Sequence, residues 1–401
     1  MRILVITQYF YPEKIRIHDV CLGLKERGHD VTVLTGKPNY PNGEYYPGYS
    51  WFNRKYEVWN GIKVYRSNLI LRGRAGKLRL VFNYLSFVFL ASLNLFRIRT
   101  KFDKIFIFAP SPLTVGIVGI LARMKFKAKA FLWVHDLWPE SIKIAGGITN
   151  KKILNVVEKI TKWIYSNVDI LMVQSQGFIP YIINQGVERG KIIYYPFYAE
   201  AFYKVEKSED KYFKKLPKGF KIMFAGNIGV AQSFDTLLNA AIKLKKQKLP
   251  IVWLIFGMGR MLEYVRNEIQ KNDLLDTFIL MGHISPEEIP KYSSCADALI
   301  LSLKKSPVLS ITIPGKLQSY LACGRPIIGS IDGIGADIIS DSGAGLTASA
   351  ESVDDLVNAI TKLHETPLEE QRLMGASARA YYEREFEREM LIDKLELILS
   401  K

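Results

Sequence analysis

Short apolar runs alternate with amphipathic segments along the first half of the chain. Residues 19–27 have the spacing of a helix that ends at Gly28. Its inward positions would be Val20, Leu22 and Leu24. Runs rich in branched and aromatic residues predict strands at residues 3–6, 31–34, 104–108, 130–134, 170–173 and 192–195. Because the strands alternate with helices, we predict a parallel sheet covered by helices on both faces.

One hairpin and one polar stretch interrupt this alternation. Asn60-Gly61, between the runs 56–58 and 63–65, is typical of a two-residue turn joining antiparallel strands. Residues 200–219 are polar and lysine-rich and show no clear hydrophobic period. We therefore predict a linker over residues 200–219.

The alternation resumes after the predicted linker. It predicts strands at residues 222–225, 251–256, 277–281, 298–301 and 326–330, and helices at residues 234–246, 261–270, 286–293, 316–323 and 352–364. We predict an α/β protein of two doubly wound, Rossmann-like domains, residues 1–199 and 220–375, which face each other across a cleft. In such sheets, ligands bind at the carboxyl ends of the strands.

Composition indicates a globular chain with room for two full cores. The 401 residues are 48% hydrophobic and 23% charged. The three cysteines, Cys21, Cys295 and Cys323, are far apart, which indicates neither a disulfide framework nor a zinc cluster and favours a reducing cytosol. The apolar run at residues 1–6 is too short for the core of a signal peptide.

All of the net charge of +16 lies in the first half. Residues 1–200 contain 29 Lys and Arg against 13 Asp and Glu, whereas residues 201–401 contain 26 of each kind. A half that is positive and locally apolar favours an anionic lipid face as the partner. Nucleic acid is less suited, because aromatic residues interleaved for base stacking are not evident.

Residues 80–96 form a charge-free run of 17 residues with basic flanks, which are Arg72, Arg74, Lys77, Arg79, Arg97, Arg99 and Lys101. The length is at the lower end of the range of about 17–25 for a membrane span. Asn83, Ser86 and Asn94 fall on one helical stripe, which is untypical of a lipid-exposed span. The run is therefore a buried helix, an interfacial helix or a span. If interfacial, its lipid contacts would be Phe82, Phe87, Phe89 and Phe96.

Three glycine-marked loops follow strands in the second half. Gly226 and Gly229 leave the backbone open to a ligand, whereas Gly257 and Gly259 lack the third glycine of a dinucleotide fingerprint. The third loop leads through Pro314 and Gly315 into a helix, whose free N–H groups suit a phosphate. Lys316 in the first helical turn has the wrong sign for helix stability, which is expected of a ligand-binding residue; a solvated lysine is the alternative.

Several blocks together resemble family GT4 of the GT-B glycosyltransferases. The blocks are Gln8–Glu13, Arg27–Gly36, Pro38–Gly43, Trp133–Ser141, Gly226–Gly229, Pro314–Pro326 and Ser330–Gly333. The first half resembles the bacterial branch that acts on undecaprenyl-diphosphate-linked sugars in O-antigen and capsule synthesis, and within it the N-acetyl-L-fucosamine transferases. The resemblance implies transfer from a UDP-sugar with retention, no cofactor and no catalytic metal. It also implies a peripheral or monotopic place on the cytoplasmic face of the inner membrane, and a C-terminal helix, 376–401, that crosses back to the first domain.

The chain departs from the family pattern in the donor site. Ile311 and Ser319 stand where many members carry two glutamates, and Asn227 and Gln232 stand where the family has Arg and Lys. The resemblance therefore implies an altered donor site. Its candidate residues are Arg16, Gly226, Asn227, Gln232, Gly257, His283, Pro314, Gly315, Lys316 and Ser319.

The candidate acceptor residues follow the predicted strand 130–134. His135 and Asp136 are adjacent, so their side chains point to opposite sides at the strand end. Asp136 is the better candidate to hydrogen-bond an acceptor hydroxyl, whereas His135 is equally explained as a packed residue. Glu140 is a third catalytic candidate or a helix-capping residue, and Trp138 stacks on a sugar or anchors the loop.

Two other functions remain open at this point. A nucleotide-sugar epimerase of the same architecture would need carboxylates or histidines placed for proton abstraction. A membrane- or RNA-docking module without catalysis would explain the basic half alone.

Overall fold

The computed structural model describes the chain except for Arg74, Ala75 and Lys215, and except for the side chains of Lys77 and residues 144–146. Two of the basic flanking positions named above, Arg74 and the Lys77 side chain, thus lie outside the described residues. The chain divides into two compact units. The first comprises Met1–Pro196 and Glu389–Lys401, and the second Phe197–Arg388. Each is an α/β unit built on one sheet, which confirms the predicted fold class.

The first unit contains an eight-stranded sheet. Its strands are β1 (Arg2–Ile6), β2 (Asp30–Gly36), β3 (Tyr56–Trp59), β4 (Ile62–Ser67), β5 (Lys104–Ala109), β6 (Lys129–Val134), β7 (Ile170–Val173) and β8 (Ile192–Tyr194). Their order is β3-β4-β2-β1-β5-β6-β7-β8. All neighbours are parallel except β3 and β4, the predicted Asn-Gly hairpin. The central strands are buried along nearly their whole length, as expected of a parallel sheet covered on both faces.

Within the described residues, six helices connect these strands. They are α1 (Ile17–Glu26), α2 (Lys77–Leu95), α3 (Val115–Phe126), α4 (Glu140–Gly146), α5 (Lys151–Asn167) and α6 (Phe178–Asn184). Helix α1 starts two residues before the predicted helix. It buries Val20 and Leu24 as expected, but Leu22 only partly; Ile17, Cys21 and Gly23 complete the buried face.

The second unit contains a six-stranded parallel sheet. Its strands are β9 (Phe220–Ala225), β10 (Ile251–Phe256), β11 (Phe278–Gly282), β12 (Ala298–Ser302), β13 (Ile327–Ser330) and β14 (Gly345–Ala348), in the order β11-β10-β9-β12-β13-β14. Its helices are α7 (Asp210–Phe213), α8 (Phe234–Lys246), α9 (Leu262–Lys271), α10 (Ile289–Ser293), α11 (Pro307–Ser310), α12 (Gly315–Cys323), α13 (Ile334–Asp341), α14 (Val353–Glu365) and α15 (Leu368–Glu385). The core between sheet and helices is apolar, with Trp253, Phe224 and Phe234 among its largest members.

Strand order reverses beside the first strand of each sheet. In the first unit β1 lies between β2 and β5, and in the second β9 lies between β10 and β12. Connections leave these two strands in opposite directions, so a crevice opens at their carboxyl ends. This is where open α/β sheets bind ligands.

The C-terminal tail divides differently from the prediction. Helix α15 packs on α12 in the second unit, and a separate helix, α16 (Arg388–Ser400), belongs to the first unit. Arg27 forms ion pairs with Glu389 at 3.0 Å and Asp393 at 2.6 Å, and these bonds fasten α16 to α1. The chain does cross back, but residues 376–401 are not one helix.

The predicted linker is also part of a folded unit. The second unit begins at Phe197, and the Tyr382 hydroxyl donates to the buried Ala199 carbonyl at 3.3 Å. Within residues 200–219, helix α7 places Tyr212 edge-on against Tyr292, with ring centroids 4.9 Å apart. The polar composition of residues 200–219 thus reflects their position on the surface of the second unit, and they are not a linker between the units.

Candidate active site

Two glycines bring the ends of β9 and β10 together in the second unit. Gly226 and Gly257 both have φ of +145°, which side-chain-bearing residues rarely adopt. A Cβ on Gly257 would lie 1.8 Å from the Gly226 carbonyl oxygen, and one on Gly226 would lie 2.3 Å from Lys316 Cε. Glycine is therefore required at both positions, and the space at Gly226 is occupied by the Lys316 side chain.

The Lys316 side chain runs from the first turn of α12 back over β9. Its Nζ lies 3.7 Å from the centroid of the Phe224 ring, a cation–π contact. Within the described part of the chain, no carboxylate forms an ion pair with Lys316. Burial lowers the pKa of this ammonium to about 7. A half-buried cation without a carboxylate suits an anionic ligand, because such a ligand would supply the missing countercharge.

The N-terminus of α12 lies beside this cation. Pro314 is the residue that precedes the helix, and Gly315 is its exposed first residue. The helix contributes free N–H groups and a partial positive charge there. The Tyr320 hydroxyl accepts a hydrogen bond from the Ala225 N–H at 2.9 Å and so holds α12 against the end of β9.

The turn after β9 carries the side-chain amides of Asn227 and Gln232, at the positions where the resembled family has Arg and Lys. Gln232 Oε1 accepts from the Gly229 N–H at 3.2 Å, and Asn227 is exposed beside it. His283 is exposed directly after β11, at the same edge of the sheet. Ser319 is 8% exposed within α12, so its hydroxyl offers little surface to a ligand.

The structure brings most predicted donor residues to one sheet edge. Sequence reasoning missed Tyr320 and Phe224, which position α12 and Lys316. Neither carries a local signal, because an aromatic residue on a buried face is ordinary core composition.

The first unit places His135 and Asp136 in different surroundings. His135 is buried edge-on against Phe108 and Trp133, with ring centroids 4.4 and 4.6 Å away. Burial and the positive charge of Arg16 hold the pKa of His135 well below its usual value, so the ring is neutral. This environment supports the packed-residue interpretation of His135. Arg16, one residue before α1, lies at the same sheet edge.

Asp136 is half-buried just after β6. Desolvation raises the pKa of its carboxyl to about 6, so near neutral pH the group is poised between charged and neutral forms. Trp138 is 8% exposed and anchors the loop. Glu140 lies in the first turn of α4 and pairs with Lys143 at 2.7 Å, a contact that fits the alternative role at the helix terminus.

Two loops of the first unit are tied by one buried carboxylate. Glu13 accepts hydrogen bonds from the backbone N–H groups of Phe10 at 3.0 Å and of Asn39 and Tyr40 at 2.8 Å each. Burial raises the pKa of Glu13 to about 7, although the three donors oppose that rise. The Gln8–Glu13 and Pro38–Gly43 blocks thus form one fixed structure after β1 and β2, a role that the sequence alone did not reveal.

Both halves of the chain match known protein families. Residues 206–381 match the family of group 1 glycosyl transferases, and residues 14–197 match the glycosyl transferase 4-like domain. The chain is a group 1, GT4-like glycosyltransferase with the GT-B fold.

Individual relatives agree with this family. The transferase is 24% identical over 411 residues to WcaI of Escherichia coli (strain K12), a protein named as a glycosyl transferase of colanic acid biosynthesis, and the match covers 98% of each. Sucrose-phosphate synthase of Thermosynechococcus elongatus has a TM-score of 0.77 at 16% identity, over 99% of this chain and 98% of that one. HepE of Anabaena, solved with UDP, has a TM-score of 0.72 at 13% identity over 100% of both. At such identities the likeness shows the fold.

Helix α2 of the transferase buries its polar stripe. Asn83 Oδ1 accepts from Gln8 Nε2 at 2.7 Å, and Asn94 Nδ2 donates to Ser67 Oγ at 3.2 Å. The opposite face is apolar and exposed, and its residues are Leu78, Val81, Phe82, Leu85, Phe89, Leu93 and Phe96. We call these seven residues the α2 stripe.

The prediction that Phe87 contacts lipid is wrong. Phe87 is fully buried, whereas Phe82, Phe89 and Phe96 are 56%, 64% and 75% exposed. Over Leu78–Leu95, α2 is long and apolar enough to cross a membrane. Only 28% of this segment is buried in the protein. An ordinary core helix would be mostly buried.

A second exposed apolar stripe lies on α5 and escaped the sequence analysis. Its members are Ile153, Val156, Ile160 and Trp163, with exposed lysines beside them at 151, 152, 159 and 162. Helix α3 packs against both α2 and α5 and exposes Leu121 and Met124. The four apolar residues are spaced three, four and three positions apart, which is the pattern of one helix face. The lysines between these residues made α5 resemble an ordinary solvated helix.

Proposed function

We propose that the transferase moves a sugar from a UDP-sugar to an undecaprenyl-diphosphate-linked sugar in the synthesis of O-antigen or capsular polysaccharide. The observation that carries the donor assignment is the half-buried Lys316 ammonium without a described carboxylate partner, beside the free N–H groups of α12. HepE, which shares the fold, was solved with UDP, and WcaI is named for the synthesis of a polysaccharide. The candidate sugar, N-acetyl-L-fucosamine, rests on the resemblance of the first-half motifs.

In the proposed reaction the bond between the sugar and the diphosphate breaks, and UDP leaves with the bonding electrons. Lys316 and the α12 N–H groups stabilise the negative charge that develops on the diphosphate. The acceptor hydroxyl attacks from the face that UDP leaves, so the configuration is retained. Asp136 hydrogen-bonds that hydroxyl and takes up its proton when ionised.

We place the reaction at the cytoplasmic face of the inner membrane of a bacterium, with the enzyme bound peripherally. The α2 stripe supplies an exposed apolar surface, and the first half supplies the +16 net charge. Basic residues near an anionic surface contribute about 1 kcal/mol each, and apolar burial adds a contribution that salt does not screen. The α5 stripe, with its four lysines, extends the same kind of surface.

A transfer assay with Asp136→Asn tests this function. Purified enzyme is incubated with radiolabelled UDP-sugars, including UDP-N-acetyl-L-fucosamine, and lipid-linked acceptor; released UDP and label in the organic phase are measured. We expect wild-type turnover to require acceptor. Asp136→Asn should lower turnover about 100-fold with UDP affinity unchanged. Wild-type activity should also rise with pH through about 6, as the Asp136 carboxyl ionises, and the variant should lose this rise.

Other outcomes would assign a different function. Conversion of the UDP-sugar into an isomer without acceptor would identify an epimerase. An Asp136→Asn enzyme with normal turnover would mean that another group orients the acceptor. Absence of both UDP binding and transfer would leave a docking module and refute the proposal.

A further inference from the structure

Arg72 is held as a fixed cation at the edge of the first unit's sheet. Its guanidinium carbon lies 5.0 Å from the ring centroid of Tyr40 and 5.9 Å from that of Tyr9, and it donates to the Tyr9 hydroxyl at 3.2 Å. Its backbone N–H donates to Asn39 Oδ1 at 3.4 Å. Among the residues that the structure describes, no carboxylate pairs with it. A guanidinium oriented by two rings, with its charge unpaired, is suited to bind an anion.

Hydroxyl groups lie close to this cation. Tyr84, on α2, interacts through its hydroxyl with those of Tyr9 and Ser111. Burial raises the pKa of Tyr9 and of Tyr84, so both hydroxyls keep their hydrogens at neutral pH. The group thus offers one positive charge together with several hydrogen-bond donors, which is the chemistry that phosphate oxygens require.

The position of this group follows from the sheet topology. Tyr9 comes after β1, Tyr40 after β2 and Ser111 after β5, so three neighbouring strands bring them to one edge. The crevice between β1 and β5 is where the strand order reverses. The Glu13 hydrogen bonds fix the first two of these loops, so the rings under Arg72 are preorganised.

The same group lies at the amino end of the α2 stripe. The stripe begins at Leu78, six residues after Arg72, and Arg79 folds back so that its Nε donates to the Leu71 carbonyl at 3.0 Å. An anionic head at Arg72 would therefore place an attached apolar chain next to the stripe. Few ligands combine these two chemistries, and a prenyl diphosphate is one that does.

We propose that Arg72, stacked on Tyr9 and Tyr40, binds the diphosphate of a lipid-linked acceptor whose prenyl chain leaves along the α2 stripe. This rests on the proposed function, because it assigns the acceptor end of that reaction. It places the acceptor phosphate in the first unit, separate from the UDP site around Lys316.

Farnesyl diphosphate is the probe for this site, titrated into the full-length protein with saturating UDP present. The UDP keeps the probe out of the donor site. We expect Arg72→Gln to weaken farnesyl diphosphate binding at least tenfold, with UDP affinity unchanged. Arg72→Lys should recover part of the affinity, because it keeps the charge but loses the planar stacking. Tyr40→Phe, which keeps the ring, should bind like wild type, and Tyr40→Leu should not.

Arg99→Gln is the matched control, since Arg99 is an exposed arginine beyond the other end of α2. It should leave farnesyl diphosphate affinity unchanged. Equal losses in Arg72→Gln and Arg99→Gln would mean a general charge effect and overturn the proposal. So would an Arg72→Gln variant that binds farnesyl diphosphate normally but anionic vesicles less well, because Arg72 would then contact headgroups. Failure of UDP to bind, by contrast, would count against the proposed function.

Discussion

At the scale of single residues, Lys316 occupies a position that is unfavourable for stability. A cation in the first turn opposes the helix dipole, and its half-buried ammonium has no described carboxylate to offset desolvation. Its folded pKa of about 7 lies below the usual value, so the penalty is complete below about pH 7 and fades as the pH rises toward 10.5. A residue that costs the empty protein stability is expected to interact with a ligand.

Lys316→Met separates these two effects. We expect the variant to lose about 1–3 kcal/mol of UDP binding and to unfold at the same or a higher temperature than wild type without ligand. Because UDP should restore the proton to Lys316, wild-type binding should take up protons at pH 8 and almost none at pH 5.5. Calorimetric titration in two buffers of different ionisation enthalpy measures this uptake.

The control is Lys246→Met, which removes an exposed charge at the end of α8. It should change neither UDP affinity nor proton uptake. If Lys316→Met bound UDP with unchanged affinity, Lys316 would be an ordinary solvated lysine and not a ligand-binding residue.

At the scale of elements, α2 is amphipathic with the polar stripe inside. The polar groups of Asn83, which is buried, and of Ser86 and Asn94, which are half-buried, are hydrogen-bonded, so their inward position costs little. The exposed side chains of the α2 stripe are not buried by the fold, so they add little to the stability of the protein. A continuous exposed stripe of this kind marks an interaction surface.

Two variants of α2 should behave oppositely. Phe82→Ser/Phe89→Ser should weaken binding to anionic vesicles about tenfold or more, most visibly at high salt, with the unfolding temperature nearly unchanged. Phe87→Ser should instead destabilise the protein by about 3–5 kcal/mol, because it empties a buried site. Co-sedimentation and thermal unfolding measure the two effects.

The interpretation of α2 fails in either of two cases. Wild-type protein that ignores anionic vesicles at low salt would leave the stripe without a membrane role. Normal vesicle binding by Phe82→Ser/Phe89→Ser would move the contact elsewhere, with the α5 stripe as the next surface to change.

Helix geometry explains what the sequence could predict of α2. The charge-free run identified the helix, and the polar stripe was visible in its spacing. Phe82 and Phe89 are seven residues apart and share a face, whereas Phe87 and Phe89 are two apart and point in nearly opposite directions. Which face was buried depended on Gln8 and Ser67, distant partners that no local pattern reveals.

At the scale of the whole molecule, the alternation of strands and helices was enough to predict two parallel α/β units. It also predicted that the donor candidates of the second half lie at one sheet edge, because loops after parallel strands meet there. The division of the tail was not predictable: Phe386 separates α15 from α16 without a nearby glycine or proline, and it is held by burial. The Glu13 hydrogen bonds and the Arg72 stacking likewise depend on loops brought together only by the fold.

Thermal unfolding of the wild-type protein with UDP or with NAD tests the central claim, that the second unit holds a UDP-sugar site. We predict that UDP raises the unfolding temperature and that NAD does not, because the glycine turns and Lys316 suit one diphosphate and the dinucleotide fingerprint is incomplete. At 100 times the dissociation constant, UDP should add about 2.7 kcal/mol to the free energy of unfolding. Stabilisation by NAD with none by UDP would contradict the account.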